Sequence, residues 1–170
     1  MENYKVPKNL LSKGNTNAKT TKNELKTFIL YLAPHKQNAK NVSICPMASK
    51  GCIKSCLYTA GRGKFSNVQN ARINKTNFYI YDKELFILKL ANEIIKETKK
   101  AKKNNEKIAF RLNGTSDIDF IYLLKLYAQL NIESLKKNAV FYDYTKIYGK
   151  VDKYKNHPNY HLTFSRAEDN

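Results

Sequence analysis

Cys45, Cys52 and Cys56 are the only cysteines of the chain, and they fall within twelve residues at the spacing C-x6-C-x3-C. Three thiols on one loop, flanked by Pro46, Gly51, Lys50 and Lys54, have the donor set of a metal centre with one coordination position left open. An iron–sulfur cluster with three protein ligands is the sharper expectation. Zinc is the alternative, with a fourth ligand closing the site; His35, ten positions before Cys45, would make a Cys3His set. The odd count argues against a disulfide framework, although one pair plus a free thiol would satisfy it. No stretch reads as a signal peptide, so a reducing compartment is expected. Inert thiols and redox chemistry are the competing readings of the same three residues.

A second group of polar residues follows apolar runs. Asn113-Gly114-Thr115-Ser116-Asp117 comes directly after the run 108–112. It offers an amide, a glycine, two hydroxyls and a carboxylate, which can bind amino, carboxylate or ribose groups. The plainer reading is a turn in which Ser116 or Asp117 caps the next helix. Asp143-Tyr144-Thr145-Lys146 follows the run 139–142, and Asp143 and Lys146, three apart, could be an acid–base pair, a ligand pair or an ordinary ion pair. Ser165-Arg166 follows a last apolar run, and Arg62 stands between Gly61 and Gly63 as a weak phosphate-binding signal. Asp117, Asp143 and Lys146 are thus the candidate catalytic groups. Asn113, Gly114, Thr115, Ser116, Arg62, Tyr144 and Ser165 are the candidate ligand contacts. There is no Ser/His/Asp signature, Walker loop or H-E-x-x-H, and Pro158 between His157 and His161 rules out a helical metal pair.

The elements that must position these groups are readable from periodicity. Residues 1–24 are polar and rich in Lys, Asn and Thr, and read as a basic, irregular arm with Leu10-Leu11 as an anchor. Residues 25–33 form a short apolar run ended by Pro34, a strand by length and flanks. Ser66 is placed to cap a helix through Val68, Ala71, Arg72 and Lys75. Asp82 is placed to cap a longer one in which Leu85, Phe86, Leu88, Ala91, Ile94 and Ile95 recur at helical spacing. A strand at 108–112, a helix over 121–130, and strands at 139–142 and 160–164 complete the pattern. This alternation predicts an α/β fold: a mostly parallel sheet of about four strands with crossover helices, resembling part of a (β/α) barrel. Residues 25–170 make one domain, with the cysteine loop at 45–56. In such sheets ligands gather at the carboxyl ends of the strands, which brings the four polar segments to one edge.

The charge balance points to a partner. Lys and Arg number 31 against 14 Asp and Glu, a net charge of +17 over 170 residues. Such an excess attracts polyanions: DNA, RNA, or an acidic protein surface. Twelve Tyr and eight Phe interleaved with lysines suit base stacking. The candidate nucleic-acid contacts are Lys99, Lys100, Lys102 and Lys103, although lysines at a helix end also complement its dipole. No run approaches a membrane span, so no membrane partner is expected.

Several blocks occur in order: Thr59-Ala60-Gly61-Arg62-Gly63, Ala71-Arg72-Ile73-Asn74-Lys75-Thr76, Arg111-Leu112-Asn113-Gly114-Thr115-Ser116-Asp117-Ile118, Phe141-Tyr142-Asp143-Tyr144-Thr145-Lys146 and Asn159-Tyr160-His161-Leu162-Thr163-Phe164-Ser165. In these the chain resembles, over about residues 10–170, a family of bacteriophage and prophage proteins without a settled biochemical function, the gene-product-88-like group. The resemblance implies a phage origin and action in the cytoplasm of an infected bacterium. The three-cysteine loop after a first strand is also similar to the cluster loop of radical S-adenosylmethionine enzymes, whose usual spacing, C-x3-C-x2-C, this chain does not have.

Overall fold

The computed structural model of the chain describes residues 4–14 and 25–166. Five strands form one sheet in chain order: β1 (Leu11–Lys13), β2 (Lys26–Leu30), β3 (Ile108–Arg111), β4 (Ala139–Thr145) and β5 (Tyr160–Phe164). The four strands from β2 onward are parallel, as the alternation predicts, and β1 pairs antiparallel to β2 at the edge. Between them lie α1 (Lys50–Lys54), α2 (Ser66–Tyr81), α3 (Lys83–Lys103), α4 (Phe120–Ala128) and α5 (Tyr148–Tyr154). With parallel strands in sequential order, right-handed crossovers put the helices on one face, an order compatible with part of a (β/α) barrel.

The register shows which side chains face those helices. Phe28, Phe110 and Phe141 are paired across β2, β3 and β4, and their rings stack at 5.6 and 5.1 Å. Phe86, Leu90 and Ile94 of α3 and Phe120 and Leu124 of α4 join them in one buried cluster. Helical spacing on α3 and period-two spacing on the strands thus meet in a single core. In β4 the alternation continues past the aromatic: Ala139, Phe141, Asp143 and Thr145 are buried, while Tyr144 is exposed.

Several expectations need correcting. The four expected strands are joined by a fifth, because the arm expected at 1–24 contains β1; the rest of that arm, residues 1–3 and 15–24, lies outside the described residues. β4 runs on to Thr145, so Asp143 and Tyr144 are strand residues and not loop residues. Ser66 opens α2 but Phe65 holds its cap position, with no side-chain cap. Asp82 caps α3 as expected, accepting from Leu85 N, whereas α4 is capped by Asp119 through Tyr122 N and not by Ser116 or Asp117. The helix α5 was not expected from the pattern.

The edge strand is held by charges on the helices. The Glu93 carboxylate of α3 accepts from Leu10 N at 2.8 Å and Leu11 N at 2.9 Å, and Lys75 of α2 donates to Leu10 O at 2.6 Å. Burial pulls the Lys75 ammonium down to about 8 against the attraction of Glu93. Replacing Glu93 by Ala strands two part-buried amides, and an unmade bond of this kind costs about 1–3 kcal/mol. Glu93→Ala is expected to lower the unfolding free energy by about that amount and to speed amide exchange at Leu10 and Leu11 far more than in β3, measured by denaturant titration and hydrogen exchange.

Candidate functional site

The cysteine loop is built onto the sheet by backbone bonds. After β2 the chain continues extended, and the β3 loop is stitched to it: Gly114 N donates to Leu30 O at 3.0 Å, and Thr115 Oγ1 donates to Leu32 O. Asp117 N donates to Ile44 O at 3.0 Å, next to the first cysteine. Cys45 Sγ lies 3.6 Å from Thr115 O, its acceptor. Ser49 caps the single turn of α1 through Cys52 N, which sets that cysteine in place. From α2, Thr76 and Asn77 accept from the amides of Ala33 and Ala39, anchoring the approach to the loop.

Behind the loop sits Arg72. Its guanidinium stacks on Tyr31 at 4.8 Å and Tyr58 at 5.5 Å and donates to Tyr58 O at 3.3 Å. Burial lowers its pKa, and Cys56 is among the groups close enough to oppose that shift. Gly63 is required here, since a Cβ would stand 2.2 Å from Tyr58 O. Gly114 is required for the same reason, with a Cβ 2.6 Å from the Tyr31 ring and 2.8 Å from Leu30 O. Periodicity gave no signal for Arg72 or Tyr58; only their nearness in sequence to the thiols could have raised them.

A cavity of about 220 Å³ opens at this end of the sheet. All three cysteines line it, facing the loop Asn113, Gly114, Thr115, Ser116 and Asp117, with Tyr144, Lys146 and Ser165 closing the far side. Strands β2 to β5 thus bring most of the expected site residues onto one edge. Arg111 and Leu57 also line the cavity and were not singled out from the sequence; a strand-end arginine beside the Asn113 loop was the available sign. Arg62 and Asp143 do not line it. Lys99, Lys100, Lys102 and Lys103 lie at the end of α3, which leads into the start of β3, so they stand at the opposite edge. Lys100 and Lys103 line a separate cavity there, of about 320 Å³, together with Lys26 and Glu97.

The side chains expected to do chemistry are engaged. Asp143 is 2 % exposed and accepts from Asn113 N at 2.7 Å and Asn113 Nδ2 at 3.1 Å. Burial raises its pKa from 3.8 to about 6, although the Asn113 bonds, Lys150 and Arg111 all pull it down. Asn113 Oδ1 in turn accepts from Ser116 Oγ and Ile118 N, so the amide organises the whole turn. Asp117 accepts from Thr145 Oγ1, Lys146 N and, at 2.8 Å, Lys150 Nζ; the pair's side chains are 11 % and 7 % exposed. Lys146 Nζ donates to Ser165 O at 3.1 Å and Arg166 O at 3.4 Å. Burial pushes the Cys45 thiol up to about 11, with smaller upward pushes from Cys56, Asp117 and Cys52 against a backbone N–H of His35. The His35 ring pairs with Ser43 Oγ at 3.4 Å. Among the described residues, no group of three or more His, Cys, Asp or Glu side chains stands in an arrangement that could hold a metal ion, and no helix is long and apolar enough to cross a membrane.

The chain belongs to the gene product 88 family, a phage family whose model matches residues 9–170. No curated protein and no solved structure matches it.

Two buried carboxylates generate separate expectations. Asp117→Asn leaves Lys150 charged and uncompensated in a nearly closed site, and breaking such a pair costs about 3–5 kcal/mol. Lys146→Met removes two bonds from a half-buried side chain and costs about 1 kcal/mol; chemical denaturation of the two variants checks the contrast. Asp143 holds its proton more tightly in the folded chain than in the unfolded one. Its contribution therefore favours the fold fully below the ordinary carboxylate range and is lost as pH rises through about 6. The change from 3.8 to about 6 corresponds to about 3 kcal/mol, so unfolding followed from acid to neutral pH should show a decline that Asp143→Asn flattens.

Proposed function

We propose that this member of a phage family is an enzyme working through a metal or iron–sulfur centre held by Cys45, Cys52 and Cys56. The observation that carries the reading is that all three thiols line one cavity at the carboxyl ends of the parallel strands, opposite the Asn113–Asp117 loop. The donor types suit a cluster: three sulfurs that line one cavity, and no fourth cysteine anywhere in the chain. The reading requires Cys52 and Cys56 to turn onto one centre with Cys45, and loading to displace the thiol proton that Cys45 now offers Thr115 O. When bound, such a centre supplies an open coordination position and one-electron chemistry.

The chain's own residues would set what enters. Arg111 has an Nε with no partner among the described residues and its guanidinium lies 5.0 Å from the Tyr144 ring, so the cavity pairs a cation with an aromatic face. These favour an anionic substrate with a planar group. Asn113, tied to Asp143 and Ile118 O, keeps the opposite wall rigid. Asp117 and Lys146 act here as fixed walls, their polar atoms being satisfied within the fold.

A second reading has its own observation. Cys45 bonded to a carbonyl and pushed up to about 11 is what a neutral structural thiol looks like, and it favours a non-enzymatic nucleic-acid-binding or host-inhibiting protein with zinc or free thiols. Anaerobic purification separates the two. A brown protein carrying iron and sulfide, with both lost in Cys45→Ala, Cys52→Ala and Cys56→Ala, is the expected outcome. Iron, sulfide and zinc analysis with visible and electron paramagnetic resonance spectra reads it. Metal content unchanged in all three variants removes the cysteines as ligands.

A further inference from the structure

Residues 25–81 contain no Asp or Glu, yet carry nine of the chain's 31 Lys and Arg. This acid-free stretch is the one that builds the thiol wall of the cavity. Lys50 and Lys54 bracket Cys52 in α1, and Arg62 and Lys64 follow Cys56 in the next turn; all four are exposed. Among the described residues two carboxylates lie near this end, and neither offsets them: Asp117 is bound to Lys150 and Thr145, and Asp143 is buried under Asn113. The uncompensated charge that the described residues bring to this end is therefore positive, which concentrates anions there. The lysines at the end of α3 differ. Lys100 is paired with Glu97 at 2.8 Å, and Glu97 and Glu106 both line the cavity beside them.

Charge alone would suit any polyanion, and the aromatic groups narrow the choice. Phe65, next to Lys64, is 61 % exposed, and Tyr144, lining the cavity across from the cysteines, is 48 % exposed. Tyr148, still more open, meets Phe164 edge-on at 6.1 Å. Apolar rings standing in water among cations are stacking platforms for unpaired bases, whereas the bases of a duplex are already stacked. A cavity of about 220 Å³ admits one unit of a strand and not a duplex.

We infer that the partner of this site is a single-stranded nucleic acid. Its phosphates lie along Lys50, Lys54, Arg62 and Lys64, bases stack on Phe65 and Tyr144, and one unit reaches into the cavity beside Arg111. The inference rests on reading the cavity as a reaction site, but the binding it describes needs no metal.

The test is fluorescence anisotropy with a labelled single-stranded oligonucleotide, as DNA and as RNA, and with the matching duplex, on metal-loaded and metal-free chain. The single strand is expected to bind at least about tenfold more tightly than the duplex. Reversing Lys50, Lys54, Arg62 and Lys64 to Glu should weaken it by about thirtyfold or more, and should flatten a log–log salt slope of about −3 towards zero. Reversal of Lys99, Lys100, Lys102 and Lys103 should change it by about twofold or less, because those charges stand at the other edge. Phe65→Ala and Tyr144→Ala should each cost about tenfold with an unchanged circular dichroism spectrum. Equal or tighter duplex binding, a larger loss from the α3 reversal than from the mouth reversal, or no binding at low salt overturns the inference. Metal analysis on the same samples keeps the two ideas apart. A cluster without strand binding sinks only this one, and strand binding by a chain whose cysteines hold no metal sinks only the cluster.

Discussion

Asp143 is buried beneath the carboxyl edge of the sheet, and the groups that satisfy it are the backbone and side-chain amides of Asn113, one strand away, with the Tyr160 hydroxyl beside them. An acceptor placed there makes Asn113 take one orientation, and that orientation lets its own oxygen collect Ser116 and Ile118. The turn so formed presents Thr115 O to Cys45 and Asp117 N to Ile44 O. The cysteine loop is thus positioned by a chain of polar contacts that begins on β4 and crosses β3. A buried charge is a costly anchor, and it is tolerable here because each of its donors comes from an element that must be in place anyway.

The same economy of partners governs the second carboxylate. Asp117 binds the start of the α5 region through Thr145, Lys146 N and Lys150, and so closes the cavity on the side away from the thiols. These two acids, and Arg72 sandwiched between Tyr31 and Tyr58, hold the walls by contacts that cross from one element to another. What the described residues present at the rim is largely basic and aromatic. Scaffold and contact surface are therefore drawn from different residues, which is why walls with carboxylates in them can still present a positive mouth.

Much of this was legible in the residues. Thiols are rare enough that three in twelve positions stand out, and apolar runs such as 108–112 mark strands whatever they pair with. Chain order then places the loops on one edge, so the gathering of Asn113, Asp117, Lys146 and Ser165 near the cysteines follows from topology. What stayed hidden depends on contacts distant in sequence. β1 is three residues long, and its place is set by pairing with β2 and by Glu93, which no local pattern can announce. α5 reads as a polar loop because Gly149, Lys150 and Lys153 interrupt it; Lys150 is buried only because Asp117 lies opposite. Asp143 ends the apolar run 139–142 as a sequence, yet the two-residue period through Phe141 puts it on the covered face.

The clamp on β1 also orders events in time. Leu10 and the carboxylate that receives its amide are 83 positions apart, and the second partner of that backbone, Lys75, belongs to another helix. Closing so long a loop sacrifices chain entropy before any bond is returned. The site of closure does not exist until α2 and α3 are formed and packed on the parallel strands. The clamp on Leu10 is accordingly completed only once α2 and α3 are in place, whereas the ladder of β1 on β2 joins segments that lie close in the chain.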